Sequence, residues 1–131
     1  MKPTLSPMVA SALERGGPVV ALESALLTHG LPFPINLETA RQAESAVKAA
    51  GAVPATIGIV AGQAVVGLGQ AEMSALAEAG AFLLKASRRD LAWASVRRLS
   101  AGTTVGGTLA LAHAAGIKVF ATRAEERRGG K

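Results

Sequence analysis

Apolar residues in this chain fall into short runs separated by polar and glycine-containing stretches. That pattern predicts buried strands alternating with amphipathic helices. Val19-Val20-Ala21-Leu22 follows Gly16-Gly17-Pro18 and predicts the first buried strand. A polar loop comes next, Thr28-His29-Gly30-Leu31-Pro32-Phe33-Pro34, whose two prolines restrict the backbone and remove two donors. Asn36 is expected to cap a helix reaching Ala50, with Gly51 as its stop. Ala40, Ala43, Val47 and Ala50 share one helical face there, while Glu38, Arg41, Glu44 and Lys48 lie elsewhere on the wheel.

Residues 55–60 read as a second strand, and 64–68 as a partner that can close a hairpin across Gly62. Residues 70–79 predict a helix with Met73, Leu76 and Ala77 on one face. Ala81-Phe82-Leu83-Leu84 is a further candidate for a buried strand, ending at Lys85. Ser87 is expected to cap a helix over 88–99, and Thr103 or Thr104 to cap another that ends at Gly116. Residues 117–121 supply the last strand. Such alternation implies an α/β fold, a layered α/β/α domain with a mixed, partly parallel sheet.

Composition narrows the chemistry. Half of the 131 residues are hydrophobic but only 3% are aromatic, so Ala, Val and Leu must fill the core. There is no cysteine, which excludes disulfides, thiolate nucleophiles and cysteine zinc sites. No secretory leader pattern follows Lys2, and no apolar run is long enough to span a bilayer, so no membrane partner and a cytoplasmic location are expected. The net charge of +5 raises nucleic acid as a partner. The charge is scattered, however, and no aromatic residues interleave with it to stack on bases. A small anionic substrate accounts for it equally well.

Glu23 directly follows the first predicted strand, and ligands of α/β sheets gather beyond the carboxyl ends of strands. Beside Leu22 and Leu26 it is placed either as a proton donor or as a helix-capping or salt-bridging glutamate. Lys85 sits in the same relation to Phe82-Leu83-Leu84, where it can pair with phosphate, act as a desolvated nucleophile, or snorkel to the surface. Ser87-Arg88-Arg89-Asp90 adds charge at a helix start. Gly102-Thr103-Thr104-Val105-Gly106-Gly107 combines close-approach glycines with hydroxyl donors at a helix start. It suits either a phosphate or tight helix–sheet packing, and it matches neither a Walker loop nor a dinucleotide fingerprint. His113 lies among alanines and leucine as a helix-packing residue, and Trp93 reads as a core or interface residue. His29 is either a loop hydrogen-bonder or a substrate contact.

In order and spacing, several segments resemble the pseudouridine-5′-phosphate glycosidase family, related to the indigoidine synthase A proteins. They are Val20-Ala21-Leu22-Glu23-Ser24, Thr28-His29-Gly30-Leu31-Pro32-Phe33-Pro34, Gly51-Ala52-Val53-Pro54-Ala55-Thr56-Ile57 and Lys85-Ala86-Ser87-Arg88-Arg89-Asp90-Leu91. Gly102-Thr103-Thr104-Val105 and the stretch from Ala112 to Thr122 complete the match, which runs from about Pro18 to Thr122. The resemblance implies reversible cleavage of the carbon–carbon glycosidic bond of pseudouridine 5′-phosphate to uracil and ribose 5-phosphate. It implies a lysine that forms a covalent adduct with the ring-opened sugar, a proton-transferring glutamate, Mn2+ as cofactor, and a homotrimer. Glu23 matches the family's proton donor, Lys85 a substrate-binding lysine, and Val105 a residue lining the substrate site. Thr122 falls where the family binds the phosphate region.

Beyond Phe120-Ala121-Thr122 the family pattern continues through a Gly-Gly segment to Val-His-Arg, whereas this chain reads Arg123-Ala124-Glu125-Glu126-Arg127-Arg128-Gly129-Gly130-Lys131. The family's metal-binding aspartate and nucleophilic lysine lie past that point of divergence and match no residue here. Residues 1–122 are therefore expected to form the N-terminal part of such a glycosidase domain, and 123–131 a divergent polar tail. The expectation is a truncated member with part of the substrate site and little activity alone. The alternative is a catalytically inactive ribose-phosphate-binding or oligomer-interaction protein.

Overall fold

The computed structural model describes residues 1–122, so the polar tail expected at 123–131 lies outside the described residues. The described residues form thirteen strands and α-helices, beginning with β1 (Thr4–Leu5), α1 (Pro7–Glu14), β2 (Val19–Leu22) and α2 (Ala25–His29). Next come α3 (Ile35–Ala49), β3 (Val53–Val60), β4 (Gln63–Val66) and α4 (Gln70–Ala79). The chain finishes with β5 (Leu84–Ala86), α5 (Leu91–Val96), β6 (Ala101–Thr103), α6 (Val105–Ala115) and β7 (Val119–Ala121).

All strands join one mixed sheet in which β3 is the hub. Its first half, Val53 to Thr56, pairs in parallel with β2, which in turn pairs in parallel with β7. Its second half pairs antiparallel with β4, through the expected hairpin. Ala61 and Gly62, with φ of 49° and 83°, make the left-handed two-residue turn that matches strand twist. At Gly58 and Ile59 the same half also pairs antiparallel with β6, to which β5 is parallel.

The sheet separates two cores because alternate strand residues face opposite sides. Ala55, Ile57, Ile59, Ala64 and Val66 pack with Val9, Ala12, Ala94 and Leu111 from α1, α5 and α6. On the other side, Leu27, Leu37, Met73, Leu76 and Ala77 from α2, α3 and α4 cluster with Val60 and Val65. Helices thus cover both faces, as the alternating pattern predicts.

Several expectations need correction. Asn36 lies inside α3 rather than capping it: its side-chain N–H groups bond the carbonyls of Leu27 at 2.7 Å and Ala77 at 3.0 Å, so it ties three helices together. Glu44, placed on the polar side of that helix, is buried and accepts from Thr56 Oγ1 at 2.6 Å. Phe82 is 98% exposed in a 3-10 turn, Gly80–Phe82, and the strand begins only at Leu84. Over 88–99 the chain forms a 3-10 turn, Arg88–Asp90, and then the short α5. Trp93 is not in the core: it is 53% exposed, with the Arg97 guanidinium 4.9 Å from its ring centre. His113 is exposed on α6, not packed. Elements α1, α2 and β6 occupy stretches with no predicted helix or strand.

Candidate functional site

β2 and β6 follow one another along β3, one parallel and the other antiparallel to it, so their carboxyl ends point toward each other. β5 runs parallel to β6, with Lys85 opposite Gly102. Residues leaving β2, β5 and β6 therefore converge, and the carboxyl ends of strands are where α/β sheets bind ligands.

A buried hydroxyl network locks this junction. Ser24 Oγ accepts from the Thr103 backbone N–H at 2.9 Å. Thr103 Oγ1 donates to the carbonyl of Ile57 at 2.8 Å, so its oxygen accepts from the Thr108 hydroxyl, also at 2.8 Å. Ser24, Thr103 and Thr108 are all fully buried, where an unpaired hydroxyl would be costly. Thr104 caps α6 by accepting the Gly107 N–H at 3.2 Å. Gly107 must lack a side chain, because a Cβ would lie 2.6 Å from the Ala86 carbonyl oxygen. Close packing at the glycine-rich loop is thus realised at Gly107, while Gly106 faces the cavity described next.

At the junction a cavity of about 390 Å³ is lined by Glu23, His29, Lys85, Thr104 and Val105, among others. Glu23, half-buried, is the first residue past β2. Lys85 is exposed in β5, and Val105 opens α6 with 42% of its surface accessible. Glu23 also borders a second, apolar groove of about 510 Å³ that runs under α3 past Leu26, Ala43 and Val47 to Thr122. Thr122 Oγ1 donates to Glu23 Oε1. The four residues Glu23, Lys85, Val105 and Thr122 therefore cluster: the first three line one cavity, and Thr122 bonds Glu23 from the neighbouring groove.

The sequence reading missed the residues that hold these groups. Ser24 and Thr103 are 79 positions apart and have no common motif. The only signal is the small hydroxyl residues at the end of the first predicted strand and at the start of the last predicted helix. Chemically, one carboxylate and one ammonium lining the same cavity as a capped helix start suit an anionic ligand that receives a proton.

The chain is similar to several known proteins. The model for the family described as indigoidine synthase A like protein matches residues 8–124. A protein named pseudouridine-5′-phosphate glycosidase 2 from Rhizobium johnstonii is 52% identical over 93% of this chain and 39% of its own length. Another from Salinispora tropica is 57% identical over 87% of this chain and 35% of its own. The crystal structure of the prealnumycin C-glycosynthase AlnA in complex with ribulose 5-phosphate superposes with a TM-score of 0.80 at 42% identity, covering 92% of this chain and 38% of that one. The chain thus spans well under half the length of these relatives.

Proposed function

The chain belongs to the indigoidine synthase A-like family, and from that premise we propose that it forms the phosphate-binding and proton-donating part of a pseudouridine-5′-phosphate glycosidase site. Glu23 is the proton donor and Lys85 the partner of the phosphoryl group. Val105 lines the sugar, and Thr122 steadies the Glu23 carboxyl at the edge of the phosphate region. The observation that carries this reading is that Glu23 and Lys85, from separate strands, open onto one cavity. The ribulose 5-phosphate held by the structural relative supports a pentose phosphate as the ligand class.

Breaking the bond between ribose C1′ and uracil C5 leaves the electron pair on C5. That carbanion is a poor leaving group unless a proton arrives, which is the task of Glu23. Lys85 attracts the phosphate and so fixes the sugar relative to the acid. Opening the sugar through an imine needs a second lysine. Among the described residues, Lys85 is the one lysine at the cavity, and pairing with phosphate occupies it. Nor do any three His, Asp or Glu among the described residues converge to hold a metal ion, so manganese finds no ligand set in this part of the fold. A second reading is a ribose-phosphate-binding or oligomer-interaction protein without turnover. The family resemblance further suggests a cytoplasmic homotrimer, which sedimentation velocity would test.

Calorimetry with ribose 5-phosphate and a uracil-release assay with manganese present separate the two readings. Lys85→Ala is expected to weaken ribose 5-phosphate binding by roughly 10- to 100-fold, the value of a charge-assisted contact. Glu23→Gln should leave that affinity nearly unchanged. Uracil release that Glu23→Gln abolishes supports the glycosidase; binding without release supports the second reading. Absence of ribose 5-phosphate binding sinks the sugar-phosphate site in both.

A further inference from the structure

The roles above leave His29 unused, although it lines the cavity with Glu23 and Lys85. Its setting is specific. His29 Nδ1 lies 2.7 Å from the hydroxyl of Thr28, a residue only 3% exposed. That hydroxyl has one proton and a second neighbour, the Ser24 carbonyl oxygen at 3.4 Å. Ser24 O already accepts from the backbone N–H of Leu27 at 2.9 Å and of Thr28 at 3.2 Å. A separation of about 2.7 Å is usual for a bond donated by a hydroxyl and short for one donated by a ring N–H. With the Thr28 proton given to Nδ1, the ring's own hydrogen sits on Nε2. Among the described residues, nothing bonds Nε2.

The sheet holds Thr28 in place. Its hydroxyl sits against Gly102, where a Cβ would overlap Thr28 Oγ1 and come within 2.9 Å of the Ser24 carbonyl oxygen. Gly102 is the register partner of Lys85. The missing side chain at 102 thus lets β6, the neighbour of the strand that carries the cation, press against the residue that orients the imidazole.

We propose that His29 Nε2–H donates a hydrogen bond to an oxygen of the bound sugar phosphate, with Thr28 as the positioning residue that fixes the ring. The inference rests on the reading of this cavity as a sugar-phosphate site. It adds a ring N–H donor to the cavity that holds the Lys85 cation, where Glu23 is the one acidic group among the described residues.

The test uses the 131-residue chain, with ring-15N NMR and calorimetry against ribose 5-phosphate and inorganic phosphate. The ring is expected to carry its hydrogen on Nε2, and the Nε2 resonance to move on adding ribose 5-phosphate. Thr28→Val should shift the Nδ1 resonance and weaken binding, and Thr28→Ser should restore both. His29→Phe should weaken ribose 5-phosphate by roughly three- to tenfold for a neutral acceptor, and by more for a phosphoryl oxygen. His29→Gln, which keeps a donor at similar reach, should recover most of the loss. Weakening of both ligands identifies a phosphoryl oxygen; weakening of ribose 5-phosphate alone identifies a sugar oxygen. A ring hydrogen on Nδ1 overturns the proposal, and it is read on the unsubstituted chain whatever the variants do. Unchanged ribose 5-phosphate affinity in His29→Phe also overturns it while leaving the cavity reading intact. If the unsubstituted chain binds neither ligand, the cavity reading fails and this inference with it.

Discussion

Thr103 is the residue on which the most contacts at the junction converge: its N–H, its hydroxyl proton and its oxygen lone pairs are all engaged inside the protein. Thr103→Val keeps the shape and removes the hydroxyl, leaving the Ile57 carbonyl without that donor and Thr108 without an acceptor. We expect a loss of about 1–3 kcal/mol, the cost of stranding buried polar groups, read from urea unfolding midpoints. At this scale the sequence was informative only where position relative to a strand carried the meaning. Glu23 and Lys85 stood out because each abuts an apolar run. The Ser24–Thr103 pair did not, since pairing across 79 residues leaves no local trace.

Short elements are where pattern and structure diverge. Ala101-Gly102-Thr103 has no apolar run to announce a strand, yet pairing with β3 and β5 makes it one. α2 covers five residues, too few for periodicity to register, and it is held by Leu27 and by the Asn36 side chain instead. Phe82 looked buried from its neighbours, but the 3-10 turn rotates it outward. Longer elements, such as α4 with Met73, Leu76 and Ala77 inward, followed their pattern closely. The entry to α5 gives a pH-dependent prediction. The Ser87 backbone N–H and hydroxyl both donate to Asp90, at 2.9 and 2.7 Å, and hold its carboxyl below the usual aspartate value. A depressed folded-state value means that the stabilisation is complete above the ordinary carboxylate range. It is lost as pH falls through the lowered value, below about pH 4. Asp90→Asn should lower the urea midpoint at neutral pH and flatten its decline in that acidic window.

Over the whole molecule, β3 contributes to both cores, with Ile57 on one side and Val60 on the other. Ile57→Ala and Met73→Ala remove fully buried side chains from opposite faces of the sheet. Each is expected to cost about 2–5 kcal/mol. Because one strand belongs to both faces, both should displace a single transition, followed by far-UV circular dichroism and by Trp93 fluorescence. Separate transitions for the two probes would contradict that coupling. The layered α/β class was legible from alternating apolar runs, but the forked pairing along β3 was not, because strand order is a long-range property.

That fork carries a consequence for how the site can change. The gap between the proton donor and the ammonium is measured out by backbone lattice, from Thr56 opposite Leu22 to Gly58 opposite Gly102, whose other neighbour is Lys85. Loops elsewhere are free to lengthen without altering that gauge. A single residue inserted between Thr56 and Gly58 would swing one half of the site to the other face of the sheet and disconnect acid from cation at a stroke.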